Sequence, residues 1–194
     1  MSLPKQAGYR RTEEKRSRAN AKEYKEYLEK KKIEGLDIHY QGCGRDWDKD
    51  FQTIAIEHKK LNNNVAIEYV ESWSPEETKR IGAEKLFELG ISNAKKAFPN
   101  HSFVVVPHEN ENGCFHTHVL FCRVSENGVA MKSDWKNRSI WNQTCDKTSR
   151  EMGLSTVEKT TSKQRERLSK KAREAQKRGK IPYQLQIMQK ADFA

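Results

Sequence analysis

The sequence contains no run of about 18 apolar residues, the minimum for a membrane-spanning helix, which argues against a helical transmembrane protein. Its first residues are polar and lack the apolar stretch of a secretory signal, so we expect no leader. It also lacks Cys-x-x-Cys pairs, since Cys43, Cys114, Cys122 and Cys145 are scattered. This spacing is not that of a zinc knuckle or a disulfide framework, and it favours a reducing cytoplasm.

The chain is instead rich in charge, with 37 Lys and Arg against 27 Asp and Glu among 194 residues and a formal net charge of +10. The excess lies in residues 5–32 and 159–180, and the rest of the chain is slightly acidic. Such an excess indicates a polyanionic partner, nucleic acid first and an anionic membrane surface second. Two solvated helix faces would give the same composition.

The C-terminal basic segment, 159–180, is the stronger candidate for phosphate contact, because ten basic residues stand against two acidic ones. We predict a basic helix here. Leu168 is its only large apolar residue, so it lacks the apolar stripe of a membrane-surface helix. The predicted DNA-binding residues are Lys163, Arg165, Arg167, Lys170, Lys171, Arg173, Lys177 and Arg178.

The N-terminal segment, 1–33, is also basic, and a helix is predicted from Ala19 to Lys32. Tyr24 and Tyr27, with the leucine that follows them, would form one apolar stripe on this helix. No repeat and no linker divides the sequence. We therefore expect a single domain over residues 1–194.

The clearest local signals lie in the middle of the chain. VAIEYVESW at 65–73 alternates like a half-buried strand, and the capping box that begins at Ser74 opens a helix expected to reach about Leu89. SFVVVP at 102–107 predicts a buried strand. CFHTHVLFCRV at 114–124 predicts the next strand, and the polar turn between the two makes them a hairpin.

Three of the six histidines fall within eleven residues of this hairpin. His116 and His118 are two residues apart on a predicted strand, so both rings project from the same face. His108 ends the preceding strand, where its ring can reach the same place. Three such imidazoles form a facial metal site, and a phosphate substrate favours Mn²⁺ or Mg²⁺ over zinc. Glu111 in the turn is a candidate further ligand, while an accidental His-x-His remains the alternative.

HENENGCFHTHVLF at 108–121 resembles the three-histidine motif of MobA/MobL-type conjugative relaxases, His-x-(Asp/Glu)…His-x-His followed by apolar residues. These relaxases are HUH endonucleases, named for histidine–hydrophobe–histidine, although Thr117 is the middle residue here. The likeness covers about residues 36–190. Further features in the family's order are YQGCG at 40–44, SWSPEET at 72–78 and REMGLS at 150–155.

The resemblance implies an α+β fold, in which helices back a central antiparallel sheet that carries the histidines. It also implies a divalent metal and single-stranded DNA at the origin of transfer of a plasmid or integrative element. A tyrosine would nick one strand, leave a 5′-phosphotyrosine and a free 3′-OH, and permit religation. The implied setting is the bacterial cytoplasm with accessory relaxosome proteins, and relaxases normally continue into further domains beyond a segment such as this one.

Members of this family carry the tyrosine nucleophile near the N-terminus, in or before the first helix and usually after a short strand. No such strand is predicted within residues 1–18. Tyr27 is the first candidate by position, Tyr24 the second and Tyr9 the third. Tyr24 and Tyr27 could equally serve only as the apolar stripe of their helix.

Two other functions remain open at this stage. Rolling-circle replication initiators and single-strand transposases place the tyrosine after the His-x-His, where Tyr183 would serve. A non-catalytic DNA-binding module with structural histidines would bind DNA with a steep salt dependence and form no covalent adduct.

Overall fold

A computed structural model describes residues 13–62, 64–132 and 134–156 of the chain. Its side chains are described from residue 21 onward. No helix within these ranges is long and apolar enough to cross a membrane.

The chain divides into two compact units, Met1–Val157 and Glu158–Ala194. The described residues belong to the first unit. The predicted basic helix at 159–180, with its eight DNA-binding residues, lies outside the described part, and so do Tyr9 and Tyr183.

The described chain contains five strands and five helices, and the predicted α+β class is confirmed. The strands are β1 (Glu13–Ser17), β2 (His39–Gln41), β3 (Asn64–Ser72), β4 (Phe103–Glu109) and β5 (Phe115–Cys122). The helices are α1 (Arg18–Lys31), α2 (Trp47–Glu57), α3 (Pro75–Ile81), α4 (Ala83–Ala97) and α5 (Trp135–Glu151).

The strands form one antiparallel sheet in the order β1-β3-β5-β4-β2, with β5 in the centre. In the predicted hairpin of β4 and β5, His108 lies directly opposite His116, and Val106 lies opposite His118. On the other side of β5, Val70 of β3 is the partner of His118. The three histidines therefore share one end of the sheet.

Both faces of the sheet are covered. One face packs against α1 and α2 through a cluster that includes Leu28, Phe51 and Leu120. The other packs against α4 and α5 through a cluster that includes Tyr69 and Trp141. Because side chains alternate along a strand, the histidines of β5 lie on the same face as Leu120, beneath α1.

The structure contradicts the expectation that residues 1–18 contain no strand. β1 spans Glu13–Ser17 and pairs with β3 at the edge of the sheet. Its sequence, EEKRS, has no apolar alternation, which is the signal that strand prediction uses. The pairing instead relies on the backbone N–H and C=O groups of β3, which can pair with a strand of any sequence. Edge strands such as β1 commonly carry charged side chains.

Two helix boundaries also differ from the sequence prediction. The helix expected from Ser74 to about Leu89 is two helices, α3 and α4, which meet at Gly82 with φ 92°. Only glycine adopts that backbone conformation without strain, so α3 ends there. The capping box at Ser74 is confirmed, because its side chain accepts from the Glu77 amide. Helix α1 spans Arg18–Lys31 instead of the predicted Ala19 to Lys32.

Candidate metal and nucleophile site

Helix α1 places one tyrosine over the histidine face of the sheet. Ala21, Tyr24 and Leu28 follow helical spacing and turn toward the sheet, where Ala21 and Leu28 are buried and Tyr24 is half-buried. The end of the helix is joined to β4, because the backbone of Lys32 forms an isolated antiparallel β-bridge with that of His108. This connection fixes α1 beside the end of the sheet that carries the histidines.

A hydrogen-bonded series joins the helix to the histidines. The Tyr24 hydroxyl donates to Glu68 Oε1 at 2.5 Å, and the same oxygen lies 2.7 Å from His118 Nδ1. The Tyr24 oxygen is itself 3.5 Å from His118 Nδ1. Because a carboxylate can only accept, this contact assigns the hydrogen of the neutral His118 tautomer to Nδ1, so that Nε2 is the nitrogen available to a metal.

Glu68 is a candidate functional residue that the sequence analysis did not single out. Its side chain is on β3, faces the same side as Tyr24 and His118, and is only 1% exposed. A buried carboxylate is costly unless it is hydrogen-bonded, and the hydrogen bonds of Glu68 Oε1 come from Tyr24 and His118, two groups of the site. The sequence signal that could have identified Glu68 is its position as the one acidic residue in the otherwise apolar segment VAIEYV.

The other two histidines stand beside this series. The ring centre of His108 is 5.8 Å from that of His116 and 5.6 Å from that of His118. Burial, and to a smaller extent the neighbouring imidazoles of His108 and His118, together lower the pKa of His116 to about 4. Burial, His118 and Lys31 also lower the pKa of His108. Both rings are therefore neutral near pH 7, the form that binds metals.

Three imidazoles of this kind suit a first-row divalent ion chemically. Across the described residues, however, no three His, Cys, Asp or Glu side chains already converge as a complete ligand set. An ion would therefore require the rings to rotate toward one another. Glu111 lies in the exposed turn between β4 and β5 and forms no ligand group with the histidines in this arrangement.

Tyr27 occupies a different position from Tyr24. Its ring stacks on that of Tyr24, with centres 5.8 Å apart, and 47% of the residue is exposed. Since Tyr27 turns outward, the predicted apolar stripe holds for Tyr24 and Leu28 only. Of the two tyrosines, Tyr24 is the one hydrogen-bonded to Glu68.

Solved structures with a similar fold include relaxase domains. A MobM relaxase domain bound to 26-nucleotide pMV158 oriT DNA matches with a TM-score of 0.61 at 12% identity, covering 84% of this chain and 97% of that one. A manganese-bound MobM domain with 22-nucleotide oriT DNA at pH 5.5 matches with a TM-score of 0.59 at 13% identity, covering 88% of this chain and 99% of that one. A structure described as the molecular basis of vancomycin resistance transfer in Staphylococcus aureus matches with a TM-score of 0.52 at 16% identity, covering 80% of this chain and 100% of that one.

Sequence comparison gives a family. Protein rlx of Staphylococcus aureus is 28% identical over 141 residues, which make up 72% of this chain but only 42% of that protein. The chain thus spans less than half the length of this curated relative. The family model of relaxases, MobA/VirD2-like nuclease domain, matches residues 20–154. This match includes most of α1, the three histidines of the site and Glu68, and the chain belongs to the MobA/VirD2-like relaxase family, as the histidine motif predicted.

Proposed function

We propose that the chain is the nuclease domain of a relaxase that nicks one strand of plasmid or integrative-element DNA at an origin of transfer and later religates it. The observation that carries this proposal is the series of Tyr24, Glu68 and His118 beside two neutral imidazoles, His108 and His116. The MobM relatives bound to oriT DNA support the choice of substrate.

Tyr24 is the proposed nucleophile, in preference to Tyr27. Its oxygen attacks the scissile phosphorus, so that the Oη–P bond forms and the P–O3′ bond breaks. Glu68 Oε1, which already accepts the hydroxyl hydrogen, takes the proton, and the departing 3′ oxygen is protonated by water. The strand is left with a 5′-phosphotyrosine and a free 3′-OH.

Religation is the reverse of this step. The 3′-OH gives its proton to the solvent and attacks the phosphorus of the phosphotyrosine, so that the P–O3′ bond forms, the P–Oη bond breaks, and Tyr24 recovers a proton from Glu68. The energy of the phosphodiester is kept in the covalent link, so resealing needs no nucleotide cofactor.

His108, His116 and His118 are the proposed ligands of a divalent ion, Mn²⁺ or Mg²⁺. When bound, the ion would polarise the non-bridging phosphate oxygens and offset the charge that develops on them. His118 would bind through Nε2 because its Nδ1 faces Glu68. The manganese in a MobM relative supports this assignment, and Glu111 remains a proposed further ligand.

The wider setting is proposed from charge and family alone. The basic segment 159–180 would hold the DNA backbone, within a single domain that spans residues 1–194. Accessory relaxosome proteins and the bacterial cytoplasm complete the expected setting.

The decisive experiment compares Tyr24→Phe with Tyr27→Phe. Each variant is incubated with Mn²⁺ and labelled single strands that tile the DNA next to the gene, and covalent adducts are separated on a denaturing gel. We expect Tyr24→Phe to form no adduct and Tyr27→Phe to form it, because only Tyr24 contacts Glu68. An adduct with Tyr24→Phe, or none with the native chain on any strand, would refute the proposal.

A further inference from the structure

A cavity of about 440 Å³ lies beside α1, on the flank that faces β2 and the start of α2. Neither Tyr24 nor the three histidines line it, so it is separate from the reacting groups. Its lining residues are Glu29, Lys32, Asp37, Ile38, Tyr40 and Arg45.

The cavity is close to the reacting groups along the chain. Lys32, in the wall of the cavity, forms the backbone β-bridge with His108. Tyr24 and Lys32 are eight residues apart along and just past α1, which corresponds to about 12 Å along the helix axis. A single strand with its scissile phosphate at Tyr24 can therefore reach the cavity within a few nucleotides.

The lining combines an apolar wall with hydrogen-bonding groups of both kinds. Ile38 and the half-buried ring of Tyr40 supply the apolar surface. Two ion pairs add both donors and acceptors, Lys32 Nζ with Asp37 Oδ1 at 2.9 Å and Arg45 Nε with Glu29 Oε1 at 3.8 Å.

This mixture favours one part of a nucleotide over the other. The two carboxylates of the lining are paired with its two cations, so the cavity offers no net positive charge to a phosphate of the DNA backbone. The edge of a nucleobase carries donors and acceptors together, and its flat face stacks on aromatic rings. The cavity is therefore better matched to a base.

We propose that this cavity holds one unstacked nucleobase of the single strand, a few nucleotides from the scissile phosphate. Tyr40 provides the stacking surface, and Glu29 accepts a hydrogen bond from the exocyclic amino group of the base. Guanine, cytosine and adenine carry such a group and thymine does not, so thymine is disfavoured. This inference rests on the proposed function, because it requires a DNA strand at Tyr24.

The test uses a pool of single strands randomised in sequence and selected for binding without metal, so that no strand is nicked. Tyr40→Leu removes the flat ring, and Glu29→Ala removes the hydrogen-bond acceptor at a partly exposed position. Lys49→Ala is the matched control, because Lys49 is an exposed cation that pairs with Asp46 outside the cavity. Circular dichroism and thermal melting check that each variant is folded.

We expect the native chain and Lys49→Ala to select the same positional preferences, including one position that disfavours thymine. Tyr40→Leu and Glu29→Ala should lose the preference at that one position and bind the native consensus about 10-fold more weakly. If Tyr40→Leu does not fold, Glu29→Ala alone decides. Equal preferences in all four pools, a uniform loss at every position, or no preference in the native pool would overturn the inference.

Adduct formation on the selected consensus with Mn²⁺ is measured separately. A lost positional preference without any adduct would refute nicking but keep the base site. Normal adducts together with unchanged preferences would refute the base site alone.

Discussion

Glu68→Gln is the substitution that best separates the chemical role of Glu68 from its structural role. The Tyr24 and His118 hydrogen bonds both end on the same oxygen, Oε1. An amide oxygen has two lone pairs and can accept both, so glutamine keeps the geometry while losing the basicity. We expect adduct formation to slow about 100-fold or more, which is the usual contribution of a positioned proton acceptor.

The assay is single-turnover adduct formation at saturating DNA and Mn²⁺, measured over a range of pH. A tyrosine hydroxyl ionises near pH 10 in water, so the rate of Glu68→Gln should climb toward that pH as hydroxide replaces the lost acceptor. A Mn²⁺ titration adds a second readout. Affinity should fall by about 10-fold or more, because the partner that orients His118 no longer carries charge.

Glu71→Gln is the matched control for this prediction. Glu71 is on the same strand, is fully buried and accepts from Asn93 Nδ2 at 2.8 Å, but it faces the side of the sheet away from Tyr24. The Glu71→Gln substitution should lower the free energy of unfolding by about 1–3 kcal/mol and leave the rate of adduct formation unchanged. The reasoning is refuted if Glu68→Gln forms adducts at the native rate, or if Glu71→Gln slows them as much.

Three further outcomes are expected. The folded chain holds the pKa of His116 at about 4 against an ordinary 6.5, so the unfolded chain binds more protons between these values. The metal-free protein should therefore melt at lower temperature as the pH falls from 6.5 toward 4, and His116→Asn should flatten that curve. Gly90→Ala should destabilise by about 1–3 kcal/mol, because its Cβ would lie 2.9 Å from Thr117 Oγ1, and Thr117→Ala in the same chain should recover part of the loss in chemical denaturation. Burial raises the pKa of Cys43 to about 12 and that of Cys122 to about 11, so thiol reagents at pH 8 should modify neither while the protein is folded, as mass spectrometry would show.

The histidine hairpin was predictable because its information is local. Strand alternation places His116 and His118 on one face, and a short polar turn brings His108 opposite His116. The capping box at Ser74 is also a local pattern, since its two hydrogen bonds lie within four residues. Such features need no knowledge of how distant segments pack.

The choice between the two tyrosines was not predictable in this way. Tyr24 and Tyr27 lie on the same helix, and only the orientation of α1 over the sheet decides which one reaches Glu68, 44 residues beyond Tyr24. That orientation depends on the pairing of β1 with β3 and on the bridge between Lys32 and His108. Both are long-range contacts of polar segments, for which hydrophobic periodicity gives no signal.

The sheet also explains why β3 can carry two buried acids. Because it is covered on both faces, Glu68 and Glu71 point into opposite interiors, and each needs hydrogen-bond donors to offset its desolvation. Glu71 is bonded to Asn93, which in turn accepts from Thr148, so helices α4 and α5 are linked to the strand. Glu68 has donors in the reacting groups themselves. Any motion that lifts Tyr24 toward a phosphate must therefore weaken the hydrogen bond from its hydroxyl to the buried Glu68 carboxylate. A buried carboxylate that loses a donor is destabilised, so transfer of the hydroxyl proton to Glu68 is favoured over separation of Tyr24 and Glu68 without transfer.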